Sequence, residues 1–253
     1  AEGVHAIFDL GGGTFDISAK INLKKFIAEH YKGGVTVRDV IREALTNAIH
    51  AGAKLITVDL CFSERNGELF QNTEERSALE QIVIIDDGEG FTPENLHYFD
   101  EICTSHKDSI GGKGVGRLAF LKYANKVEIR SQLRNELVEF PYTPDFKLED
   151  VKKSQVEGSP STSIVLMDLK DKINTHVAKL VNSICDDLRL ILFLKFQQGH
   201  CITLRFTHNS KQSFDDFYEF SGKDIQALSE REFDIVGEKF KCYLFRDEPL
   251  EKG

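Results

Sequence analysis

A carboxylate and an amide stand four residues apart in the segment EALTN, as Glu43 and Asn47. Side chains at positions i and i+4 of a helix lie on one face, so both can reach the same point. A carboxylate can take a proton from water, and an amide oxygen can ligate a hard cation such as Mg²⁺. Taken alone, however, such a pair is more often a solvated glutamate and an asparagine on a helix surface.

An acid and two glycines close the apolar segment IVIIDDGEG. Asp86 follows a run typical of a buried strand, and Gly88 and Gly90 come shortly after it. A carboxylate at this place can accept a hydrogen bond from an amino group of a bound base, and glycine lets the backbone approach a ligand closely. The alternatives are a plain strand-to-turn transition and a Ca²⁺ loop, but the further ligands of an EF-hand loop are absent.

A third stretch, IGGKGVG, is rich in glycine and precedes a helical pattern. Backbone N–H groups at the N-terminus of a helix form an anion site. The stretch lacks the preceding buried strand of a dinucleotide-binding fingerprint and the Gly-Lys-Ser/Thr ending of a Walker A loop. Flexible loops also collect glycine, so the spacing alone leaves a phosphate site and a plain loop both open.

Composition limits the classes of protein to which the chain can belong. Its 253 residues are 41% hydrophobic and 29% charged, with a net charge of −9, which is ordinary for a globular protein and argues against wrapping nucleic acid by overall charge. Five scattered cysteines without a CxxC pair predict thiols in a reducing cytosol rather than disulfides or a zinc site. No apolar run approaches the roughly 20 residues that span a bilayer, and we find no signal peptide, so we expect a cytoplasmic protein without membrane contact.

Hydrophobic periodicity predicts the elements that position the three motifs. Helical spacing occurs in residues 22–32, 37–53, 92–103, 117–124 and 175–198, with Thr36 and Thr92 as N-caps. Strand patterns occur in residues 14–21, 54–62, 81–85, 126–133, 137–143, 161–169, 201–208 and 232–245. This order is not a regular βαβ alternation. It predicts an α+β fold, a two-layer sandwich of a mixed, mostly antiparallel sheet with helices on one face.

The three motifs, in this order, resemble those of the GHKL superfamily of ATPases, which includes DNA gyrase, the ninety-kilodalton heat-shock chaperones, MutL and MORC proteins and sensor histidine kinases. EALTNAIHAGA is similar to the N-box, DDGEGF to the adenine-binding box and IGGKGVGRLAFLKYANKVEI to the glycine-lid box with its following helix and strand. STSIVLMDL is similar to the last box. The resemblance covers about residues 14–170 and implies the Bergerat ATP-binding fold.

The resemblance implies a role for each matching residue. Glu43 would be the general base that activates water, Asn47 would ligate the Mg²⁺ that bridges the phosphates, and Asp86 would bind the adenine amino group. The glycine-rich stretch would cradle phosphate, and the segment before it would act as a lid. The other nucleotide-binding positions implied are Ala51, Gly88, Gly90, Lys107, Gly111, Gly112, Lys113, Gly114, Val115, Gly116 and Thr162.

Three positions of the match with the family need separate comment. Lys107, in TSHK, resembles a lid lysine of MutL-like members, and a solvated loop lysine is an equal alternative. Many chaperone and MutL members have an acid three residues after the N-box Asn, where this chain has His50. The segment STS, which contains Thr162, replaces the usual Gly-Thr before the last strand.

The resemblance also implies a division of the chain. We expect a flexible N-terminal segment at residues 1–13, a GHKL ATP-binding domain at residues 14–172 and a long helix plus strands, as a partial transducer-like domain, at residues 173–253. A transducer normally supplies a lysine to the γ-phosphate, and Lys239, Lys241 and chain beyond Gly253 are the candidates.

A separate glycine cluster lies in DLGGGTFDIS, at residues 9–18. It resembles a phosphate-binding hairpin of actin-fold proteins, but the match ends after about ten residues and the other nucleotide motifs of that fold are missing. We interpret the glycines at 11–13 as a flexible joint ahead of a strand, and we expect the phosphate loop at residues 111–116 instead.

The function implied by the resemblance is Mg²⁺-dependent ATP binding and hydrolysis that drives lid closure and homodimerisation of a larger chaperone-, DNA-repair- or defence-type machine. Glu43 favours an ATPase, because hydrolysing members carry the base four residues before the Asn, and His30 lacks the surroundings of a phosphoacceptor histidine. A nucleotide-gated binding module with negligible turnover and a histidine-kinase-type phosphotransferase are the alternatives. Whether the client is a protein or DNA is not indicated by any motif.

Overall fold

The computed structural model of the chain describes residues 8–9, 14–15, 23–62, 78–100, 116–170, 177–208 and 217–245. The helices are α1 (Leu23–His30), α2 (Val37–His50), α3 (Pro93–Asp100), α4 (Leu118–Tyr123) and α5 (Val177–Gln197). The first strands are β1 (Phe8–Asp9), β2 (Thr14–Phe15), β3 (Leu55–Phe62), β4 (Leu79–Asp86), β5 (Ala124–Leu133) and β6 (Glu136–Pro141). The others are β7 (Lys152–Gln155), β8 (Ser161–Leu169), β9 (Thr203–His208), β10 (Phe217–Ser221), β11 (Ala227–Ile235) and β12 (Glu238–Phe245).

Eight strands form one mixed sheet in the order β10-β9-β3-β4-β8-β5-β6-β7. All neighbours are antiparallel except β3 and β9, which run parallel from the pair Leu55 and Thr203 to the pair Leu60 and His208. The predicted α+β fold with a mixed, mostly antiparallel sheet is therefore confirmed. The sequence patterns missed β7 and β10, because both are short and β7 is polar and exposed throughout.

One layer of helices covers one face of this sheet. The central helix α2 contacts β3 and β4 beneath it and α4 and α5 beside it. Its residues Val40, Ile41 and Leu45 are fully buried, and the inward positions of β3 and β4 are apolar, as alternation along a strand requires. The helices predicted on one face are thus confirmed, and α2 lies where its buried stripe is held from three sides.

The start of α2 is fixed by its own side chains. Thr36 is the N-cap, as predicted, and its hydroxyl accepts from the Asp39 N–H while the Asp39 carboxylate accepts from the Thr36 N–H, 3.0 Å away. This reciprocal arrangement is a capping box. Arg38 then forms a bidentate ion pair with Asp187 of α5, which joins the two helices. The register of α2 along the sheet is therefore anchored at its first turn.

The later part of the chain joins the same core before it leaves the sheet. Helix α5 contacts α2, and β9 and β10 extend the sheet beyond β3. Strands β11 and β12 form a separate two-stranded hairpin, whose Tyr243 and Phe245 rings lie 5.1 and 5.4 Å from the ring of Phe193 on α5. The domain boundary predicted between residues 172 and 173 stays a prediction. Beyond it, β9 and β10 belong to the main sheet and α5 packs against α2.

Candidate nucleotide site

One face of α2 carries Glu43, Asn47 and Ala51 in a line. These residues are spaced by four, and Ala51 is the C-cap of the helix. Because an α-helix rises about 1.5 Å per residue, the line is about 12 Å long, comparable to an extended nucleoside triphosphate. The two ends of the line have different neighbours, Gly116 at Glu43 and the turn after β4 at Ala51.

At one end, the carboxylate of Glu43 lies between an amide and a glycine. Asn47 donates from Nδ2 to Glu43 Oε1 over 3.1 Å. A Cβ added to Gly116 would overlap the Glu43 carboxylate, so a larger residue there would displace this carboxylate from its position. The sequence prediction placed Gly116 in a phosphate cradle, and the structure brings this residue directly against the predicted base.

An open cavity of about 230 Å³ adjoins Glu43 and is lined also by Tyr31, Asp39 and Gly116. The cavity is large enough to hold water beside the carboxylate. Burial raises the pKa of the Tyr31 phenol, and the negative charges of Glu43 and Asp39 raise it further. Tyr31, which lines the same space, therefore stays neutral at neutral pH.

At the other end, Asp86 breaks the apolar pattern of β4. It follows Ile82 and Ile84 at the inward positions of the strand, yet it is 7% exposed and charged when ionised. Burial raises its pKa to about 6, the N–H of Gly88 lowers it by donating to Oδ1 over 2.9 Å, and the charge of Asp87 raises it. A buried carboxylate at an inward strand position is expensive, and this cost points to a ligand-binding role.

Thr162 and Ser131 extend this polar row across the sheet. Thr162 of β8 pairs in register with Asp86 of β4 on one side and with Ser131 of β5 on the other. The two hydroxyl oxygens are 3.0 Å apart, and Ser131 Oγ accepts from the N–H of Phe91 over 3.1 Å. Three neighbouring interior strands thus place three polar side chains on the helix-facing side of the sheet.

Two glycines leave room beside this row. A Cβ at Gly88 would lie 2.8 Å from Asp86 Oδ1 and 3.0 Å from the Ala51 Cβ. Gly90 has φ +71°, and a Cβ there would overlap the hydroxyl of Ser131. Both glycines are required by the packing, and both predicted positions therefore lie around Asp86, with Ala51 on the adjoining helix end.

The turn after β4 is held in place by its own polar groups. Asp87 Oδ1 accepts from the backbone N–H groups of Lys54 and Leu55, over 2.7 and 2.9 Å, at the start of β3. The N–H of Glu89 donates to the Ala51 carbonyl over 2.9 Å. Of the two adjacent acids, Asp87 therefore anchors the turn, and Asp86 lies in the pocket.

Ser131 is absent from the sequence prediction, although a signal for it exists. Along β5 the buried inward positions are Val127, Ile129 and Ser131, so a hydroxyl continues an apolar series. The same test, a polar residue in the inward phase of a strand, identifies Asp86 and Thr162. Pairing between strands 31 residues apart decides which of these meet, and periodicity along one strand does not contain that information.

Part of the predicted site lies outside the described residues. This part comprises Lys107, Gly111, Gly112, Lys113, Gly114 and Val115, and also the glycines at 11–13. Their roles stay predictions. Of the two candidate γ-phosphate lysines, Lys241 forms ion pairs with Glu230 and Glu232 of its own hairpin, at 2.8 and 3.1 Å, and these charges raise its pKa.

The side-chain oxygens of the site fit a Mg²⁺ ion that is held mainly by water and by the phosphates of a bound substrate. Because Nδ2 of Asn47 donates to Glu43, its Oδ1 is the atom left to meet a cation, and no other described residue bonds to that oxygen. Within the described residues, no group of three or more His, Cys, Asp or Glu side chains could hold a metal ion. Mg²⁺ typically keeps water and substrate phosphate as ligands beside one or two protein oxygens, which agrees with this arrangement.

Comparison with known protein families agrees with the geometry of the site. The family described as "Histidine kinase-, DNA gyrase B-, and HSP90-like ATPase" matches residues 35–175, more than half of the chain. The chain belongs to this family. Membership in the GHKL superfamily confirms the resemblance seen in the motifs and supports ATP binding by this chain. A sequence comparison with curated proteins gave no match.

Two solved structures resemble the chain in part. The N-terminal domain of a DNA repair protein has a TM-score of 0.45 and 14% identity over 79% of this chain and 54% of that one. The topoisomerase IV ATP-binding domain of Francisella tularensis, solved with a small-molecule inhibitor, has a TM-score of 0.47 and 15% identity over 78% of this chain and 91% of that one. This chain thus spans about half the length of the DNA repair structure.

Among the helices in the described part of the chain, none is both long and apolar enough to cross a membrane.

Proposed function

We propose that this chain binds ATP with Mg²⁺ and hydrolyses it, with Glu43 as general base. The observation that carries the proposal is the arrangement of one face of α2. Glu43 and Asn47 lie together at one end of this face, and Ala51 lies at the other end, close to the buried Asp86. A nucleotide laid along this face would have its base at Asp86 and its phosphates at Asn47.

In this arrangement each side chain has a separate task. The Asp86 carboxylate would accept from the amino group of the base, and Asn47 Oδ1 would be an oxygen ligand of Mg²⁺, which when bound would neutralise phosphate charge. Asn47 Nδ2 also holds Glu43, so the carboxylate is oriented toward the cavity shared with Tyr31, where a water can lose its proton to it.

Phosphate release by the purified chain with ATP and Mg²⁺ tests the proposal. Glu43→Ala should lower the rate about 10²- to 10⁴-fold, the usual contribution of a general base, and should leave ATP affinity nearly unchanged. Glu29→Ala is a matched control, because Glu29 is exposed on α1 and does not line the cavity. It should retain full activity.

The other outcomes separate the remaining hypotheses. Turnover unchanged in Glu43→Ala contradicts the assigned base. ATP binding without phosphate release by the unaltered chain favours a nucleotide-gated binding module. Label from γ-labelled ATP that stays on the protein favours a phosphotransferase.

We also propose that ATP binding closes the predicted lid and promotes a homodimer within a larger machine. This step rests on family membership and on the predicted lid.

A further inference from the structure

The hydroxyl of Ser131 has a fixed set of partners. It accepts from the Phe91 N–H over 3.1 Å and lies 3.0 Å from Thr162 Oγ1, and these are its hydrogen bonds in the described part of the chain. Ser131 is 1% exposed, so bulk water does not reach it. A serine hydroxyl has one hydrogen to donate, and an amide N–H can only donate. The buried hydrogen of Ser131 is therefore satisfied when it points at Thr162.

The direction of the Ser131 hydroxyl determines whether the Thr162 hydroxyl donates or accepts toward a ligand. Its oxygen accepts from Ser131, so its own hydrogen points elsewhere. Thr162 lies on the helix-facing side of β8, directly beside Asp86 on β4. Residues paired in register on one face have Cβ atoms about 4.5–5.5 Å apart. Thr162 thus presents a hydrogen-bond donor next to the Asp86 carboxylate.

The carboxylate of Asp86 supplies the opposite polarity. Its Oδ1 accepts from the Gly88 N–H, and no other described residue bonds to Oδ2. Oδ2 is therefore an acceptor beside the donor of Thr162. Adenine presents the complementary edge, with a donor at the 6-amino group and an acceptor at N1. Hypoxanthine presents the reverse edge, with an acceptor at O6 and a donor at N1.

We propose, on the basis of the proposed ATP-binding function, that Ser131 is a positioning residue that holds the Thr162 hydroxyl as a donor and so selects 6-aminopurine over 6-oxopurine nucleotides. Ser131 acts through Thr162. Buried polar groups that lack a matching ligand atom are the strongest source of such discrimination.

The test is the ratio of ATP affinity to ITP affinity, measured by titration calorimetry on the intact chain. ITP differs from ATP only on the edge in question. Ser131→Ala lets the Thr162 hydroxyl rotate and accept from the N1–H of hypoxanthine, so the ratio should fall about three- to tenfold. Ser131→Thr keeps the hydroxyl and should restore the ratio.

Two further variants separate positioning from mere packing. Thr162→Val removes the donor itself, so adding Ser131→Ala to it should lower the ratio no further, because the two residues act in series. Ser163→Ala is the control, since Ser163 neighbours Thr162 on β8 but points to the other face of the sheet. It should leave the ratio unchanged. Should Ser131→Ala not fold, Ser131→Cys keeps the volume with a weakly bonding thiol and should also lower the ratio.

The outcomes that overturn the inference differ from those that overturn the proposed function. An unaltered chain that binds neither nucleotide contradicts both. An unaltered chain that prefers ATP, with the same preference in Ser131→Ala or Ser131→Cys, contradicts the role of Ser131 alone. Independent, additive losses in Thr162→Val and Ser131→Ala also contradict it, because they indicate separate effects on packing.

Discussion

At the scale of single residues, the site consists of polar groups that the fold does not need for packing. Asp86, Thr162 and Ser131 occupy inward strand positions where apolar side chains would cost less to bury. Their retention is understandable when a ligand supplies the missing partners. Asp86 also makes the pocket sensitive to pH, because burial raises the pKa of its carboxyl to about 6.

The proposed contact of Asp86 with the base predicts that adenine binding depends on pH. Its pKa of about 6 in the folded chain means that below this pH the carboxyl is protonated and no longer accepts from the amino group of the base. Affinity should therefore be constant above about pH 7 and should fall toward tenfold per pH unit below about pH 5. Calorimetric titration with adenosine measures this without the phosphate that titrates near pH 6.

The control for this titration is Asp86→Asn. This variant should bind adenosine weakly at every pH, because an amide oxygen that accepts from the Gly88 N–H leaves an NH₂ donor where the carboxylate offered a second acceptor. A wild-type affinity that stays flat from pH 7 to pH 5 would show that Asp86 does not contact the base.

Many residues of the candidate site can be proposed from the sequence alone. Glu43, Asn47, Asp86 and the two glycines after it can be identified because each lies in a short, contiguous motif. Ser131 was not predicted, because its role depends on the pairing of β5 with β8. Contacts across strands are set by register, which a single sequence does not display.

At the scale of elements, α2 is the part on which the site depends most. Its apolar stripe, its N-cap Thr36 and the glycine that ends it, Gly52, can all be identified in the sequence. The bounds of the helix were therefore predicted within a few residues. The parallel pairing of β9 with β3 was not, because nearly 150 residues separate the two strands and local patterns carry no information on partners. Helices were therefore easier to predict than the order of the strands.

Removal of the N-cap of α2 should weaken the fold. Thr36→Ala loses the hydroxyl that accepts from Asp39 N–H, and we expect the free energy of unfolding to fall by about 1 kcal/mol. Urea denaturation followed by circular dichroism measures the change.

The matched control for the cap lies on the same helix. Thr46 donates to the Arg42 carbonyl over 2.8 Å within the helix, a bond that adds little to helix stability. Thr46→Ala should change the free energy of unfolding by less than about 0.5 kcal/mol. Equal losses in the two variants would mean that Thr36 has no special role at the helix start.

At the scale of the whole molecule, nucleotide binding and stability are linked. A ligand that binds only the folded state stabilises it by about 2.7 kcal/mol at one hundred times its Kd. For a chain of 253 residues, each kcal/mol corresponds to about 2–4 °C in Tm, so saturating ATP should raise the Tm by roughly 5–10 °C. If the ATP-bound form dimerises, this rise should grow with protein concentration, which calorimetry at two concentrations measures.

Asp86→Asn should raise the stability of the unliganded chain and should reduce its stabilisation by ATP. The pKa of Asp86 is higher in the folded chain than its ordinary value of 3.8, so the folded state binds the proton more tightly and stability is lost as pH rises from about 4 to about 6. Above pH 6 the unliganded variant, which has no such charge to bury, should therefore have a higher Tm than the unaltered chain. It should also lose the rise in Tm with ATP, because the acceptor for the base is gone. A variant that keeps the full ATP-dependent rise would contradict the placement of the base, and one that is less stable without ATP would contradict the cost assigned to the buried carboxylate.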